Sequence, residues 1–332
     1  MADIATFTGA QSTNPALSAA ASVKGLAFSN ASSSGYTISG NTLTLGIGGI
    51  DTSAVTGGTN TISSNIALAS GGQAWTAGTG STLAINPAAL TRSAGATVRI
   101  NKTAVTGTVS TTTLTNTNGI IGAWAAVSSS GTSANNSANG DTFATVSGGN
   151  IVPYTSANAL TGTGAWGGVP SGGAGTINYD VSGTMAVTGL GRSVNTIRYT
   201  GTGATQPGNI SPSGNLLTIN GFMNAGSGEF FIGGTGGTNN YGVNVTVGAN
   251  LDLVLAPMTA GITLRNAILN NGANASAVTV SGNQTVTLTG ASSYTGATTV
   301  AGGTLLVSGA GSINTSSGIT IKGASAKYLH TS

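Results

Sequence analysis

Large apolar residues alternate with Ser, Thr and Asn along most of this chain. The period is two in Tyr36-Thr-Ile38-Ser-Gly-Asn-Thr-Leu43-Thr-Leu45, and it recurs in Val98-Arg-Ile100, Ile177-Asn-Tyr179-Asp-Val181, Leu217-Thr-Ile219 and Val243-Asn-Val245-Thr-Val247. It continues through Leu251-Asp-Leu253-Val-Leu255, Ile262-Thr-Leu264, Val278-Thr-Val280, Val286-Thr-Leu288 and Leu305-Leu-Val307. Alternation over such short segments predicts half-buried strands, and no segment carries the 3.6-residue period of an amphipathic helix. Many strands end in the same way, with Ser39-Gly40 after Ile38, Ser182-Gly183 after Val181, Ser281-Gly282 after Val280 and Ser308-Gly309 after Val307. Glycine supplies the positive φ that a sharp corner requires.

Two of these units align closely: Tyr36-Thr-Ile-Ser-Gly-Asn and Val278-Thr-Val-Ser-Gly-Asn. The interval from Val245-Thr-Val to Val278-Thr-Val is shorter than the one from there to Ile319-Thr-Ile, so the repeat is irregular. Irregular repeats of short strands with glycine corners predict stacked coils, an all-β right-handed parallel β-helix with a narrow aliphatic interior. With roughly 20 to 30 residues per coil, 332 residues form one solenoid, a rod of roughly 55 to 80 Å. Residues 110–175 are the least regular stretch, and Ser128 to Asn139, nearly all Ser, Gly, Ala and Asn, is expected to protrude as a loop.

Composition narrows the class further. There are 55 glycines, only 5% charged residues and 5% aromatics, so the core must be thin and long rather than thick. Mean hydropathy is +0.23 and the net charge is +3, which argues against disorder. The basic pI of 9.3 reflects nine basic residues against six acidic ones spread along the chain. The densest basic group, Arg92, Arg99 and Lys102, reads as a solvated strand edge, so no nucleic-acid partner is expected. With no cysteine, disulfides and thiolate metal sites are excluded. The N-terminus lacks the basic and apolar regions of a signal peptide, and no run of 18 apolar residues suggests a membrane span. The expectation is an excised piece of a longer extracellular or cell-surface protein.

The most specific pattern lies near the C-terminus, within 278–321. It reads Val286-Thr-Leu-Thr-Gly290-Ala-Ser-Ser-Tyr294-Thr-Gly296-Ala-Thr-Thr-Val300-Ala-Gly-Gly303-Thr-Leu305-Leu-Val307. This closely resembles the autotransporter-associated β-strand repeat, L-T-L-x-G-x-N-x-Y-x-G-x-T-x-V-x-x-G-x-L. Ser292 stands where Asn is usual and Val286 replaces the first Leu. The match is strong over this one segment. Upstream, Asn41-Thr-Leu-Thr-Leu45 and Ser81-Thr-Leu-Ala-Ile85 are similar more loosely. The resemblance implies a β-helical passenger of a large surface-exposed or secreted bacterial protein. The family's repeat is tied to export and β-helix formation, so no catalytic residue carries over.

Other chemistries find little support in the residues. A polysaccharide-acting or polysaccharide-binding β-helix needs convergent carboxylates, and of Asp3, Asp51, Asp141, Asp180, Asp252 and Glu229 only Glu229 and Asp252 are spaced like one coil. Asp252, between Leu251 and Leu253, is expected to point outward, and the simpler reading is two unrelated surface acids. The single histidine, His330, is the only base a Ser-His-Asp set could use. No cofactor or metal is expected, since the acids lack calcium-loop spacing. Gly233-Gly-Thr-Gly-Gly-Thr and Gly189-Leu-Gly191 lack the helix and Lys of a phosphate cradle. Trp75, Trp124 and Trp166 form either a sugar-stacking platform or, more simply, packing residues, and Phe230-Phe231 marks a core strand. Thr-x-Thr pieces at Thr42-Leu-Thr44 and Thr287-Leu-Thr289 would serve ice binding only if ranked in register on one flat face. The favoured reading is a non-enzymatic structural or adhesive surface segment. Its expected partners are copies of itself, end to end or laterally, and a surface polysaccharide or host matrix.

Overall fold

The computed structural model describes residues 3–9, 13–29, 35–102, 106–128, 141–160, 164–165, 175–183, 185–186, 191–203, 216–233, 244–248 and 252–331. The fold is all-β, without a helix among the described residues, and its mostly parallel strands stack into a β-solenoid of about 11 turns. The chain forms two compact units, Met1–Thr155 and Ser156–Ser332.

In the first unit, strands Ile4–Thr8, Ala21–Ser29, Leu43–Thr52, Gly71–Ala77, Ala96–Lys102 and Ala125–Val127 pair in chain order, all parallel. A second ladder runs Ala16–Leu17, Thr37–Gly40, Thr59–Ile62, Thr82–Ile85, Thr108–Ser110. The period-two pattern sends alternate residues inward, so register partners stack into columns. One column is Leu26–Ile50–Trp75–Ile100–Val127, every member buried. Another is Ile38–Ile62–Ile85.

The irregular stretch holds a different device. Strand Thr142–Ser147 runs antiparallel to Ala125–Val127 on one side and to Asn150–Pro153 on the other, and Asn150 is bridged antiparallel to Ser110. Gly148 and Gly149 join the two strands with φ of 56° and 76°, the two-residue hairpin geometry that glycine permits. One hairpin thus closes the free edges of both parallel ladders. The expected Ser128–Asn139 loop falls, from 129 on, outside the described residues.

The second unit has an eight-stranded parallel ladder: Asn158–Leu160, Asn178–Val181, Thr196–Tyr199, Gly221–Asn224, Asp252–Pro257, Ala277–Val280, Thr298–Val300 and Ile319–Ile321. Its inner column is Tyr179–Ile197–Phe222–Leu255–Val280–Val300–Ile321. Two further ladders complete the coils, one through Leu217, Val245 and Ile268, the other through Phe230, Ile262, Val286, Leu305 and Tyr328. The long interval from Val278 to Ile319 resolves into two coils, with Thr298 between them.

The shared Ser-Gly-Asn signal has one cause in both units. Gly40 has φ +93°, and a Cβ there would sit 2.5 Å from the Leu17 carbonyl oxygen of the coil before. Gly282 has φ +131°, with the Pro257 carbonyl oxygen at the same 2.5 Å. The following amides, Asn41 and Asn283, donate to those same two carbonyls at 3.1 and 3.0 Å.

Candidate functional site

The repeat-like segment is a set of bonds between coils. Ser292, in the position usually held by Asn, accepts from the Ile268 amide at 3.1 Å. Tyr294 is fully buried, its hydroxyl 2.7 Å from Thr298 Oγ1; Thr298 is 2.8 Å from Ser316 Oγ, which donates to the Gly296 carbonyl at 2.9 Å. Burial pushes the Tyr294 hydroxyl up to about 12, against the lowering effect of Thr298 and Ser316. Gly296 leaves no room for a side chain, since a Cβ would meet the Ser276 carbonyl oxygen at 2.3 Å.

A second polar feature climbs through the interior of the same unit. Asn195 Nδ2 donates to Asn178 Oδ1 at 2.7 Å, and Asn220 Nδ2 donates to Asn195 Oδ1 at 2.8 Å. All three asparagines are buried. Gly248 follows above, where a Cβ would lie 2.3 Å from Asn220 Oδ1, and Asn271 Nδ2 donates to the Val247 carbonyl at 2.8 Å. The ladder satisfies buried amides that would each cost about 1–3 kcal/mol unpaired. Sequence reasoning missed it; its only signal was an asparagine recurring beside the strand ends at Asn195 and Asn220.

Glu229 and Asp252 are held separately. Glu229 precedes strand Phe230–Ile232 and is half-buried, with Oε1 accepting from Thr263 Oγ1 at 2.8 Å. Arg265 lies 4.1 Å over the Phe231 ring; burial lowers its pKa and the Glu229 charge opposes that shift. Asp252 opens a strand of the eight-stranded ladder, where its Oδ2 accepts from Thr279 Oγ1. Asp252 points outward as expected, but that face of the strand does not meet solvent. It alternates with the core residues Leu253 and Leu255 and so faces away from the interior column, yet it is fully buried, as are Val254 and Ala256 beside it.

Several other charged and aromatic residues are engaged within the fold. Arg99 Nη2 lies 2.7 Å from Asp141 Oδ2, a pair in which Asp141 is 1% exposed and burial pushes its carboxyl above the ordinary range. Arg198 grips Asp180 with two hydrogen bonds across neighbouring coils. Asp51 caps the Ser53 amide at 2.8 Å, while Asp3 is exposed. Arg92 donates to the Ala96 carbonyl and lies 5.8 Å over Trp124. Trp75 is in the core, Trp124 is partly buried against it, and Trp166 and the Lys102 side chain lie outside the described residues. The 234–238 and Gly189 parts of the glycine-rich runs lie there too. Phe230 is buried and Phe231 half-buried, as a core strand requires.

Thr44 has Ser22 and Ala67 as register partners, and Thr287 has Thr263 and Leu306, so those threonines do not stand in one rank. A rank Thr59–Thr82–Thr108 spans three coils of the first unit. His330 occupies the register position above Val307 and is exposed. Among the described residues no group of three or more His, Cys, Asp or Glu could hold a metal ion, and no helix is long and apolar enough to cross a membrane. Set against known protein families, characterised proteins and solved structures, the chain matches none.

Proposed function

We propose that this chain is an extracellular structural segment, a rigid β-solenoid stalk or passenger of the autotransporter-associated repeat type that projects or adheres at a bacterial surface. The observation that carries this reading is the use of polar side chains for stitching coil to coil. The Tyr294–Thr298–Ser316 chain, the Asn178–Asn195–Asn220 ladder and the Arg198–Asp180 pair each span neighbouring coils. In a stack whose stability is a sum of coil and nearest-neighbour terms, such bonds resist local opening. A chain with only 5% charged residues, and Ser, Thr and Asn between its inward apolar positions, suits weak, repeated contact with a surface polysaccharide or matrix.

The test is location in cells that make the protein. Antibody labelling of intact cells, followed by protease shaving, is expected to detect and then remove it. Protein found only inside shaved, unbroken cells would overturn the reading.

A further inference from the structure

The outward face of the second ladder in the first unit is a sheet of hydroxyls. Thr59, Thr82 and Thr108 stand in register as one column, and Thr37, Thr61, Ala84 and Ser110 form the column beside it. A third column, two positions further along each strand, carries only Ser, Asn and Thr. The strands pair parallel throughout, without a register shift. No charged or aromatic side chain stands at any of these positions. All are at least partly exposed except Ala84, which lies between Thr61 and Ser110.

Register gives this face two fixed repeats, about 4.8 Å from coil to coil and about 6.6 Å from one outward residue to the next along a strand. A β-branched side chain has few χ1 choices, so each threonine holds a hydroxyl and a methyl in a set direction. Outward hydroxyls elsewhere in the fold are spent on neighbours: Thr263 donates to Glu229, and those of Thr218 and Thr246 lie 3.0 Å apart. Among the described residues, the hydroxyls of Thr59, Thr61, Thr82 and Thr108 have no such partner. A hydroxyl both donates and accepts, so the face offers water a regular mosaic of bonding points.

We propose that this hydroxyl face binds the surface of ice. Other occupants ask for groups that it lacks. Sugar recognition uses aromatic platforms and charged or amide forks, an anion needs cationic side chains, and a protein interface needs an apolar centre. The one amide, Asn86, already accepts from the Thr112 backbone amide at 2.8 Å. An ice face asks instead for a neutral, flat array of donors and acceptors whose repeats are close to those of its own oxygens. Ordering water on such an array costs little, because the anchoring hydroxyls are already fixed. This activity goes beyond the stalk reading and does not depend on where the protein resides.

The purified chain is expected to be carried into slowly grown ice and to give measurable thermal hysteresis. Thr61→Tyr, which raises a ring from the middle of the array, should lower the hysteresis severalfold. Thr287→Tyr, at an outward position of the second unit, should leave it unchanged. Ala84→Thr completes its column and should raise it. Thr82→Lys makes the same test through charge should Thr61→Tyr fail to fold, with circular dichroism melts checking each variant. Exclusion of the unaltered chain from ice, full activity in a folded array variant, or an equal loss in the Thr287→Tyr protein overturns the inference. None of these results bears on the location of the protein, so the stalk reading stands or falls separately.

Discussion

The hydroxyls of Tyr294 and Thr298 lie 2.7 Å apart inside the second unit, and their hydrogen bond has a direction. Ser316 donates to the Gly296 carbonyl, so it accepts from Thr298, which in turn accepts from Tyr294. Burial holds the phenolic proton in the folded state, pushing its pKa up to about 12 from an ordinary 10.0, while Thr298 and Ser316 act in the opposite sense. The unfolded chain releases this proton first as pH rises. The contribution is complete below about pH 10 and fades as pH climbs towards about 12. Absorbance titration is expected to show Tyr294 ionising late, alongside Tyr179 and Tyr199, whose hydroxyls burial also pushes up. Tyr294→Phe should remove that linkage and cost about 1–2 kcal/mol in thermal or denaturant melts.

Asn195 both donates to Asn178 and accepts from Asn220. Replacing it breaks two bonds and removes one partner from each of two buried amides, although Asn178 Oδ1 keeps its bond from Thr196 Oγ1 at 2.7 Å. Asn195→Ala is expected to destabilise the second unit by roughly 2 kcal/mol or more. The effect should be greater than for Asn41→Ala, whose exposed side chain makes one bond to Leu17. Equal losses in chemical denaturation would show that the ladder carries no special weight.

Much of the fold was legible because a period of two and a glycine corner each have one structural meaning. Gly40 and Gly282 turn the chain at the same kind of place for the same steric reason. The inward columns follow from alternation alone. The Thr142–Pro153 hairpin was not foreseen, although Ser147-Gly148-Gly149-Asn150 carries a two-residue turn signal. A stretch judged only against the solenoid's repeat reads as irregular when its strands change direction. Asp252 shows the other limit. Alternation assigns a residue to a face of a sheet, but whether that face meets water depends on what lies over it, and no local pattern encodes that.

Arg99 and Asp141 should respond unequally to substitution. Asp141 is almost wholly buried, and burial pushes its carboxyl above the ordinary 3.8, with Arg99 and Ser128 acting in the opposite sense. The folded state thus holds a proton more tightly than the unfolded chain. Stability falls as pH rises from 3.8 through the folded-state value, and at neutral pH the ionised carboxylate depends on Arg99. Arg99→Leu is expected to cost about 3 kcal/mol at neutral pH, because it strands a buried charge. Its deficit should shrink in acid as Asp141 takes up a proton. Asp141→Asn should cost less, since Arg99 keeps some contact with solvent. Melting temperatures of both variants across acidic and neutral pH decide this, and a pH-independent Arg99→Leu deficit would refute it.

Glu229 and Asp252 allow a direct test of polysaccharide chemistry. Retaining glycosidases need two carboxyl groups about 5–5.5 Å apart, and inverting ones about 6.5–9.5 Å, with both facing a common substrate. Here Glu229 flanks one ladder and is bonded to Thr263, while Asp252 belongs to another ladder, is bonded to Thr279 and is closed to solvent. A sugar chain cannot reach Asp252 without opening the structure around it. The purified chain is therefore expected to leave the viscosity and reducing-end content of neutral and acidic polysaccharides unchanged, and Glu229→Gln should match it. The same variant should lose less than about 1 kcal/mol of stability, because Glu229 is only half-buried and the Thr263 bond survives with an amide acceptor. Depolymerisation by the unaltered chain that disappears in Glu229→Gln would instead make Glu229 a catalytic group and overturn the purely structural reading.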